Sequence, residues 1–235
     1  MSDNRLLAAL SPADRQLLDD HLHPVMLERG QTLFDPGEDV VDVHFPEGAT
    51  ITALVLTMRD GAAAEAAMIG KEGAIGGIVS VGEKPAFSRG VVQMRGPARR
   101  MSTADLEAVK SRSWTLRDRF DRYADCLLAQ VMQSAACNAI HDVEPRLARW
   151  LLAAHDRTGL DEMAMTHDFI AEMLGVQRTY VTRIVGQITE RGAIGNGRGV
   201  VRIVDRAALE AQSCECYGRL RRHFDRILPG VMPVV

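Results

Sequence analysis

The sequence lacks the features that mark membrane proteins, exported proteins and several large classes of enzymes. Its 235 residues contain no apolar run long enough to cross a bilayer, and residues 1–4 do not begin a charged-then-apolar leader. We therefore expect a cytoplasmic protein with no membrane partner. The sequence also has no Walker-type loop, nucleophile elbow or His-x-x-x-His pair, so an enzyme is not expected.

Cysteine is scarce, with four residues and none before Cys126. Cys214 and Cys216 lie two positions apart in a predicted helix, so their side chains should point to different faces and not form a metal pair. Cys126 and Cys137 lie in another predicted helix, where packing is the default expectation and a response to oxidation is the alternative. No metal site is predicted.

The net charge of −3 is low for a protein that binds nucleic acid, but the charge is unevenly distributed. Residues 1–142 contain 15 basic and 20 acidic residues, whereas residues 143–235 contain 13 basic and 11 acidic residues. Residues 178–206 contain six arginines against Glu190 and Asp205, a local net charge of +4. Positive charge is therefore concentrated in one short segment, as in proteins that bind DNA phosphates.

The first half of the chain shows the pattern of a small β-domain. After a helix that begins at Ser11-Pro12, short apolar runs from about Val25 to Met101 alternate with turn residues at intervals of about ten. Glycine and proline mark most of these turns. We predict an α+β protein whose residues 1–112 form an antiparallel β-roll that acts as a sensor domain.

A long helix should follow over residues 113–141, because no glycine or proline interrupts this stretch and Ser113 can cap it. Residues at alternating four- and three-residue spacing predict a seam with the same helix of a second subunit. The seam residues are Phe120, Ala124, Leu127, Val131, Ser134 and Asn138. A second apolar stripe is predicted to lie on the β-roll, and it consists of Leu128, Met132, Ala136 and Ile140.

Residues 166–191 have the pattern of a helix-turn-helix. Thr166 can cap a first helix, and Gly175 supplies the left-handed residue that ends it. A second helix should begin near Gln177 and bury apolar residues at helical spacing. We place this unit in a carboxy-terminal domain of residues 142–235, in which a single last helix runs from Asp205 to about Leu228.

The outward face of the second helix carries side chains that reach phosphates or base edges when a helix enters the major groove. A hairpin with an Asn-Gly turn signal and Arg198 at its tip follows, as in a winged helix-turn-helix. The candidate DNA-binding residues are Thr166, Gln177, Arg178, Thr179, Tyr180, Arg183 and Arg198.

The complete pattern resembles the Crp/Fnr family of bacterial transcription regulators. The resemblance is carried by DVEPRLARWLL at residues 142–152, by the winged helix-turn-helix, and by DRAALEAQSCECY at residues 205–217. It implies a homodimer on a palindromic promoter site, with RNA polymerase as a further expected partner. It also implies that a small-molecule or redox signal on the β-roll reorients the DNA-binding helices through the long helix.

The effector is not evident from this resemblance. Cyclic-nucleotide binders of the family have a Gly-Glu pair and, about ten residues later, an Arg-Ser/Thr-Ala segment that binds ribose and phosphate. The candidate effector residues here are Glu72 and Gly73, then Ser88 and Arg89, with the Ser-Arg order reversed and Phe87 beside the expected phosphate. Cyclic AMP is therefore not expected.

No cofactor is predicted either. The family's iron-sulfur sensors use three cysteines near the amino terminus, which this chain lacks. His44 is an isolated candidate for a haem ligand, and a structural role is the favoured interpretation. The leading functional prediction is a DNA-binding transcription regulator. The alternative is a metabolite- or nucleotide-sensing protein that gates a protein partner, and salt-dependent binding to promoter DNA distinguishes the two.

Overall fold

The computed structural model describes residues 3–78 and 85–232. Two short helices, α1 (Arg5–Ala8) and α2 (Pro12–Asp19), open the chain. The strands that follow are β1 (His23–Leu27), β2 (Thr32–Phe34), β3 (Asp42–Pro46), β4 (Ile51–Thr57), β5 (Ala63–Ile69), β6 (Arg89–Met94) and β7 (Gly96–Ser102). Helices α3 (Thr103–Arg112) and α4 (Trp114–Ile140) complete this half.

The strands of this half form the predicted antiparallel β-roll. One sheet has the strand order β1–β7–β3 and the other has the order β2–β6–β4–β5, with antiparallel pairing throughout. Val43 and Phe45 of β3 are fully buried and pack with residues of α1, α3 and α4. Because β3 pairs with β7 at the base of α3, the roll leads directly into the long helix.

Helix α4 has the predicted start and length, but its faces differ from the prediction. Its 27 residues begin after Ser113, whose hydroxyl accepts a hydrogen bond from Leu116 N at 3.2 Å. Phe120 is fully buried within its own chain and meets the ring of Phe45 edge-on at a centroid distance of 6.2 Å. Its assignment to an intersubunit seam is therefore wrong, because the core of the β-roll already covers it.

The remaining predicted seam residues have intermediate positions. Ala124, Leu127, Val131 and Ser134 are half-buried and Asn138 is exposed. The second stripe, predicted to lie on the β-roll, instead faces outward, with Leu128 56%, Met132 58% and Ile140 76% exposed. A shift of one residue rotates a helix position by about 100°, so spacing alone did not determine which stripe the β-roll covers.

The second half contains the helix-turn-helix, the wing and two further helices. Its elements are α5 (Val143–Thr158), β8 (Glu162–Met163), α6 (His167–Leu174), α7 (Arg178–Glu190), β9 (Ile194–Gly197), β10 (Val200–Ile203), α8 (Arg206–Gln212) and α9 (Cys216–Ile227). The single last helix of the prediction is wrong. The helix breaks at residues 213–215, between α8 and α9.

The two halves share one apolar core and a buried ion pair. Ile51 and Met68 of the β-roll lie in the same buried cluster as Leu151 of α5 and Ile170 of α6. Beside this cluster Arg157 Nε donates to Glu72 Oε1 at 2.8 Å, and both side chains are only 2% exposed. A buried charge is costly without its partner, so this pair holds the end of α5 against the β-roll.

None of the helices in the described ranges has both the length and the apolar composition needed to span a lipid bilayer.

His44 of β3 is buried, with 6% of its surface exposed. Its Nδ1 has no hydrogen-bond partner among the described residues. Burial lowers the pKa of His44 to about 4, an effect that Arg100 reinforces and Asp42 opposes. The imidazole is therefore neutral in the folded protein at neutral pH.

This shift makes folding pH-dependent. Below the ordinary pKa of about 6.5 the unfolded chain binds a proton at His44 that the folded chain does not, so stability falls as the pH drops towards 4. At 1.36 kcal/mol per unit, the free energy of unfolding should lose about 2 kcal/mol between pH 7 and pH 5 from this residue. Urea unfolding of the wild type and of His44→Gln at pH 7 and pH 5 measures how much of the loss in the free energy of unfolding is due to His44. The exposed His23→Gln on β1 is the matched control, and an equal pH slope in all three proteins would contradict this account.

Candidate nucleic-acid interface

The helix-turn-helix is built by local capping. Thr166 Oγ1 accepts a hydrogen bond from Phe169 N at 3.2 Å and caps α6, as predicted. Gly175 has a φ of 65° and ends the helix, and Val176 N then bonds back to Ala171 O at 2.9 Å. Only glycine adopts this left-handed conformation without strain, so the sequence directs α7 to start at a fixed angle to α6.

Helix α7 has one buried face and one exposed polar face. Val181, Ile184, Val185 and Ile188 face the core, as the spacing predicted. Gln177, Arg178, Thr179, Thr182 and Arg183 are exposed, and Tyr180 is half-buried. The predicted DNA-binding side chains of this helix therefore lie together on one surface, over its first two turns.

Contacts within the chain position the two arginines of this surface. Arg178 Nε lies 3.4 Å from Asp168 Oδ1, with both side chains about two-thirds exposed. The Arg183 guanidinium lies over the Tyr180 ring, 4.6 Å from its centroid. An exposed ion pair and an exposed cation–π contact each contribute only about 1 kcal/mol or less, so both arginines can exchange these contacts for contacts with a polyanion.

The wing is a short hairpin beside α7. Strand β10 pairs with β9 and with β8, and Gly197 is opposite Val200. The turn is therefore Arg198-Gly199, not the predicted Asn196-Gly197, and Gly199 has the positive φ, 73°, that it requires. Arg198 is exposed at the tip, as predicted.

His167, which the sequence analysis did not identify, connects the parts of this surface. Its Nδ1 lies 2.9 Å from Thr182 Oγ1 on α7, and its Nε2 lies 3.4 Å from Asn196 Oδ1 in the wing. The side chain thus links the start of α6, the outward face of α7 and β9. Its position directly after the capping threonine was the only sequence signal, and that signal does not indicate either partner.

Three of the predicted effector residues, Glu72, Gly73 and Arg89, have contacts within the protein. Both Glu72 oxygens accept from Gly70 N, and Oε1 also accepts from Arg157. Gly73 lies against Tyr123, since a Cβ atom there would be 2.2 Å from the Tyr123 hydroxyl oxygen. Arg89 forms a surface ion pair with Asp35, with an Nε to Oδ1 distance of 2.6 Å. Ser88 is half-buried beside it, and an effector role for the four residues stays a prediction.

The structure also brings together four side chains that can bind a metal. The donor atoms of Cys137, His141, Cys214 and Cys216 all lie within 4.8 Å of one another. The prediction that Cys214 and Cys216 point to different faces of one helix is wrong, because Cys214 precedes α9 and only Cys216 lies within it.

Comparison with known proteins agrees with this geometry. Residues 145–212 match the family model of the Crp-like helix-turn-helix domain. A search of curated proteins finds no significant match.

Similar solved structures cover most of the chain. One, from Eubacterium rectale, is described as a transcriptional regulator of the crp/fnr family, with 17% identity over 88% of this chain and 96% of that chain and a TM-score of 0.67. FixK2 from Bradyrhizobium japonicum is 15% identical over 82% of this chain and 98% of its own, with a TM-score of 0.70. A Crp-family regulator from Thermus thermophilus is 18% identical over 80% and 96%, with a TM-score of 0.66. At these identities the likeness concerns the fold.

Proposed function

We propose that the chain is a transcription regulator of the Crp/Fnr type that binds promoter DNA as a homodimer, because residues 145–212 match a Crp-like helix-turn-helix domain and the fold is similar to that of Crp/Fnr regulators. The observation that carries the proposal is the exposed polar face of α7 beside the exposed Arg198 of the wing. Residues 178–206 have a net charge of +4 in a chain whose total is −3, and the exposed Arg178, Arg183 and Arg198 place part of this positive charge on the proposed DNA-binding surface.

The side chains of this surface divide into two roles. Arg178, Thr179 and Arg183 lie on the first two turns of α7, the part of a recognition helix that contacts base edges. Thr166 at the α6 cap and Arg198 at the wing tip lie at the margins, where contacts to phosphates are expected. Gln177 is the residue before α7, and Tyr180 in its first turn lies beneath the Arg183 guanidinium.

The homodimer is supported by the exposed stripe on α4. Its members repeat at four- and three-residue spacing and are Leu128, Met132, Ala135 and Ala139, with Ile140 beside them. An apolar stripe on a long helix is covered when it packs against the same helix of a second copy around a twofold axis. The two α7 helices are then related by that axis, which suits an inverted repeat with half-sites about 34 Å, or 10 to 11 base pairs, apart.

Arginine substitutions distinguish base reading from phosphate binding. Arg183→Ala should weaken binding to a site selected from random DNA by about 1 to 3 kcal/mol and affect unrelated DNA much less. Arg198→Ala should weaken both and reduce the slope of log K against log salt by about one. Fluorescence anisotropy over a salt series measures both, with Arg95→Ala, an exposed β-roll arginine, as the control.

Two outcomes would oppose this assignment. Equal losses for Arg183→Ala on selected and unrelated DNA would make Arg183 a phosphate contact. No salt-dependent DNA binding by the wild type would instead favour a sensing protein that gates a protein partner.

A second pair of variants tests the α4 stripe. Leu128→Glu places two carboxylates in an apolar seam, where like charge and desolvation both oppose association, so sedimentation should show monomers. Asn138→Glu, exposed on the same helix but outside the stripe, should remain dimeric. The reverse result would support the seam first predicted from spacing. An intact dimer in both variants would remove α4 as the interface.

The partners of Glu72 and Arg89 also bear on the effector. A cyclic nucleotide that used them would have to open the buried Glu72–Arg157 pair and the Arg89–Asp35 pair. We expect that isothermal titration with cyclic AMP detects no micromolar binding. Micromolar affinity accompanied by tighter DNA binding would contradict this prediction.

A further inference from the structure

The end of the long helix meets the start of the last helix at a cluster of sulfur and imidazole side chains. Cys137 and His141 lie one turn apart at the end of α4, where the backbone N–H of His141 donates to Cys137 O at 3.0 Å. Cys214 and Cys216 lie on either side of Glu215, the residue that precedes α9. Three sulfurs and one imidazole nitrogen therefore converge from two separate parts of the chain.

Two of the donor distances are close to those of a tetrahedral metal site. Cys137 Sγ lies 3.6 Å from Cys214 Sγ, and Cys216 Sγ lies 3.5 Å from His141 Nδ1. A tetrahedral zinc ion with Zn–S of about 2.3 Å and Zn–N of about 2.0 Å separates two sulfurs by about 3.8 Å and a sulfur from a nitrogen by about 3.5 Å. These two separations are thus close to those of a filled site, and all of the donor atoms lie within 4.8 Å of one another.

Neighbouring groups support the ligand atoms. Gln133 Nε2 donates to Cys216 Sγ at 3.0 Å, a contact that favours a thiolate. The other ring nitrogen of His141, Nε2, lies 3.3 Å from Glu215 Oε2, which leaves Nδ1 as the ligand atom. Hydrogen bonds of this kind to the distal nitrogen orient histidines that bind metals.

Positive charge lies close to the cluster. Arg146 and Arg149 of α5 interact electrostatically with the Cys137 thiol. The Nε atoms of both arginines are buried without a hydrogen-bond partner in the described part of the chain. Three thiolates, one neutral imidazole and a divalent ion have a net charge of −1, which the nearby arginines would stabilise.

We propose that Cys137, His141, Cys214 and Cys216 bind a zinc ion that fastens α9 to the end of α4. Three thiolates and an imidazole are a common structural zinc set, and four protein ligands leave no open position for catalysis. Donor atoms within 4.8 Å of one another surround a single ion and leave too little room for a cluster of several irons. Thiolates also select zinc over harder ions such as magnesium.

The position of the site gives it a structural role. His141 ends α4 and only Asp142 separates it from α5, so the ion lies at the junction of the long helix with the DNA-binding half. From this point α9 runs back along α4, and Phe224 and Leu228 enter the buried cluster of the β-roll. Removing the ion should loosen the start of α9 without unfolding its far end.

A second set of contacts holds α9 near the ion. Asp156 of α5 accepts from the Tyr217 hydroxyl at 2.8 Å, from Arg206 at 2.7 Å and from Arg221 at 3.3 Å. Because this network does not involve the cysteines, variants of single ligands are expected to fold.

Metal analysis of the full chain, expressed without a histidine tag, tests the proposal. After dialysis the wild type should contain about one zinc ion per chain by mass spectrometry. Cys214→Ser and Cys216→Ser should contain almost none and unfold at a lower Tm. The matched control is Cys126→Ser, because Cys126 is the remaining cysteine of the chain and is buried in the β-roll core away from this cluster. It should keep the zinc.

Two histidine variants separate ligation from packing. His141→Cys supplies a fourth thiolate and should retain zinc, whereas His141→Ala should bind it more weakly against a competing chelator. If His141 only packs and does not bind the ion, both variants should lower the Tm by the same amount and both should keep the zinc. Limited proteolysis of the wild type before and after chelation should show faster cleavage near residues 213–216 without zinc, and added zinc should restore protection.

Other results would overturn the proposal. If the protein contains no zinc and the reduced chain takes up none on titration, the cluster is not a zinc site. Loss of two thiols without metal would indicate a Cys137–Cys214 disulfide instead. Stoichiometric iron with visible absorption would indicate an iron site.

Discussion

The buried pair of Glu72 and Arg157 is the contact on which the arrangement of the two halves depends. A carboxylate and a guanidinium that are both 2% exposed have lost their hydration, so separating them leaves two uncompensated charges. Gln130 of α4 extends the pair, since its Oε1 accepts from Arg157 at 3.2 Å and its Nε2 donates to Met68 O at 2.8 Å. The β-roll, the long helix and α5 therefore meet at one buried polar contact beside the apolar core that the β-roll and α5 share.

Near this ion pair, the first helix of the helix-turn-helix packs on the β-roll and the second keeps an exposed polar face. Helix α6 packs on β5, and a Cβ atom at Gly175 would lie 3.4 Å from the Ala64 side chain. Gln93 of the β-roll bridges Glu65 and Met173 of α6, at 2.7 and 2.8 Å. Helix α6 is thus packed on the β-roll, and the polar face of α7 stays exposed. Any change in the placement of α7 would have to repack α6 or move it together with the β-roll.

The last helix closes the structure by returning to the first half. Its start lies at the end of α4, its first two turns are held through Tyr217 and Arg221 by the buried carboxylate of Asp156, and its end packs in the β-roll core. The long helix therefore contacts the β-roll on one side and α9 on another, while Leu128, Met132 and Ile140 stay exposed. A helix with several apolar faces is explained by having several partners.

The sequence by itself determined the local features, because each depends on neighbours in the chain. The caps at Ser113 and Thr166, the left-handed Gly175 and the buried face of α7 follow from hydrogen bonds and periodicity within about one turn. The family resemblance followed from the same segments, and residues 145–212 do match a Crp-like helix-turn-helix. The break before α9 was missed because helical propensity continues through Ser213 to Glu215 without glycine or proline.

Only the tertiary structure decided which distant groups meet. Glu72 and Arg157 are 85 positions apart, Cys137 and Cys214 are 77 apart, and His167 and Asn196 are 29 apart. It also decided which stripe of α4 is buried, because two apolar stripes rotated by about 100° have the same periodicity. Periodicity describes the spacing of residues along one helix, whereas burial depends on the surface that packs against it. That surface is formed by residues far away in the chain, so no local sequence pattern predicts which face is buried.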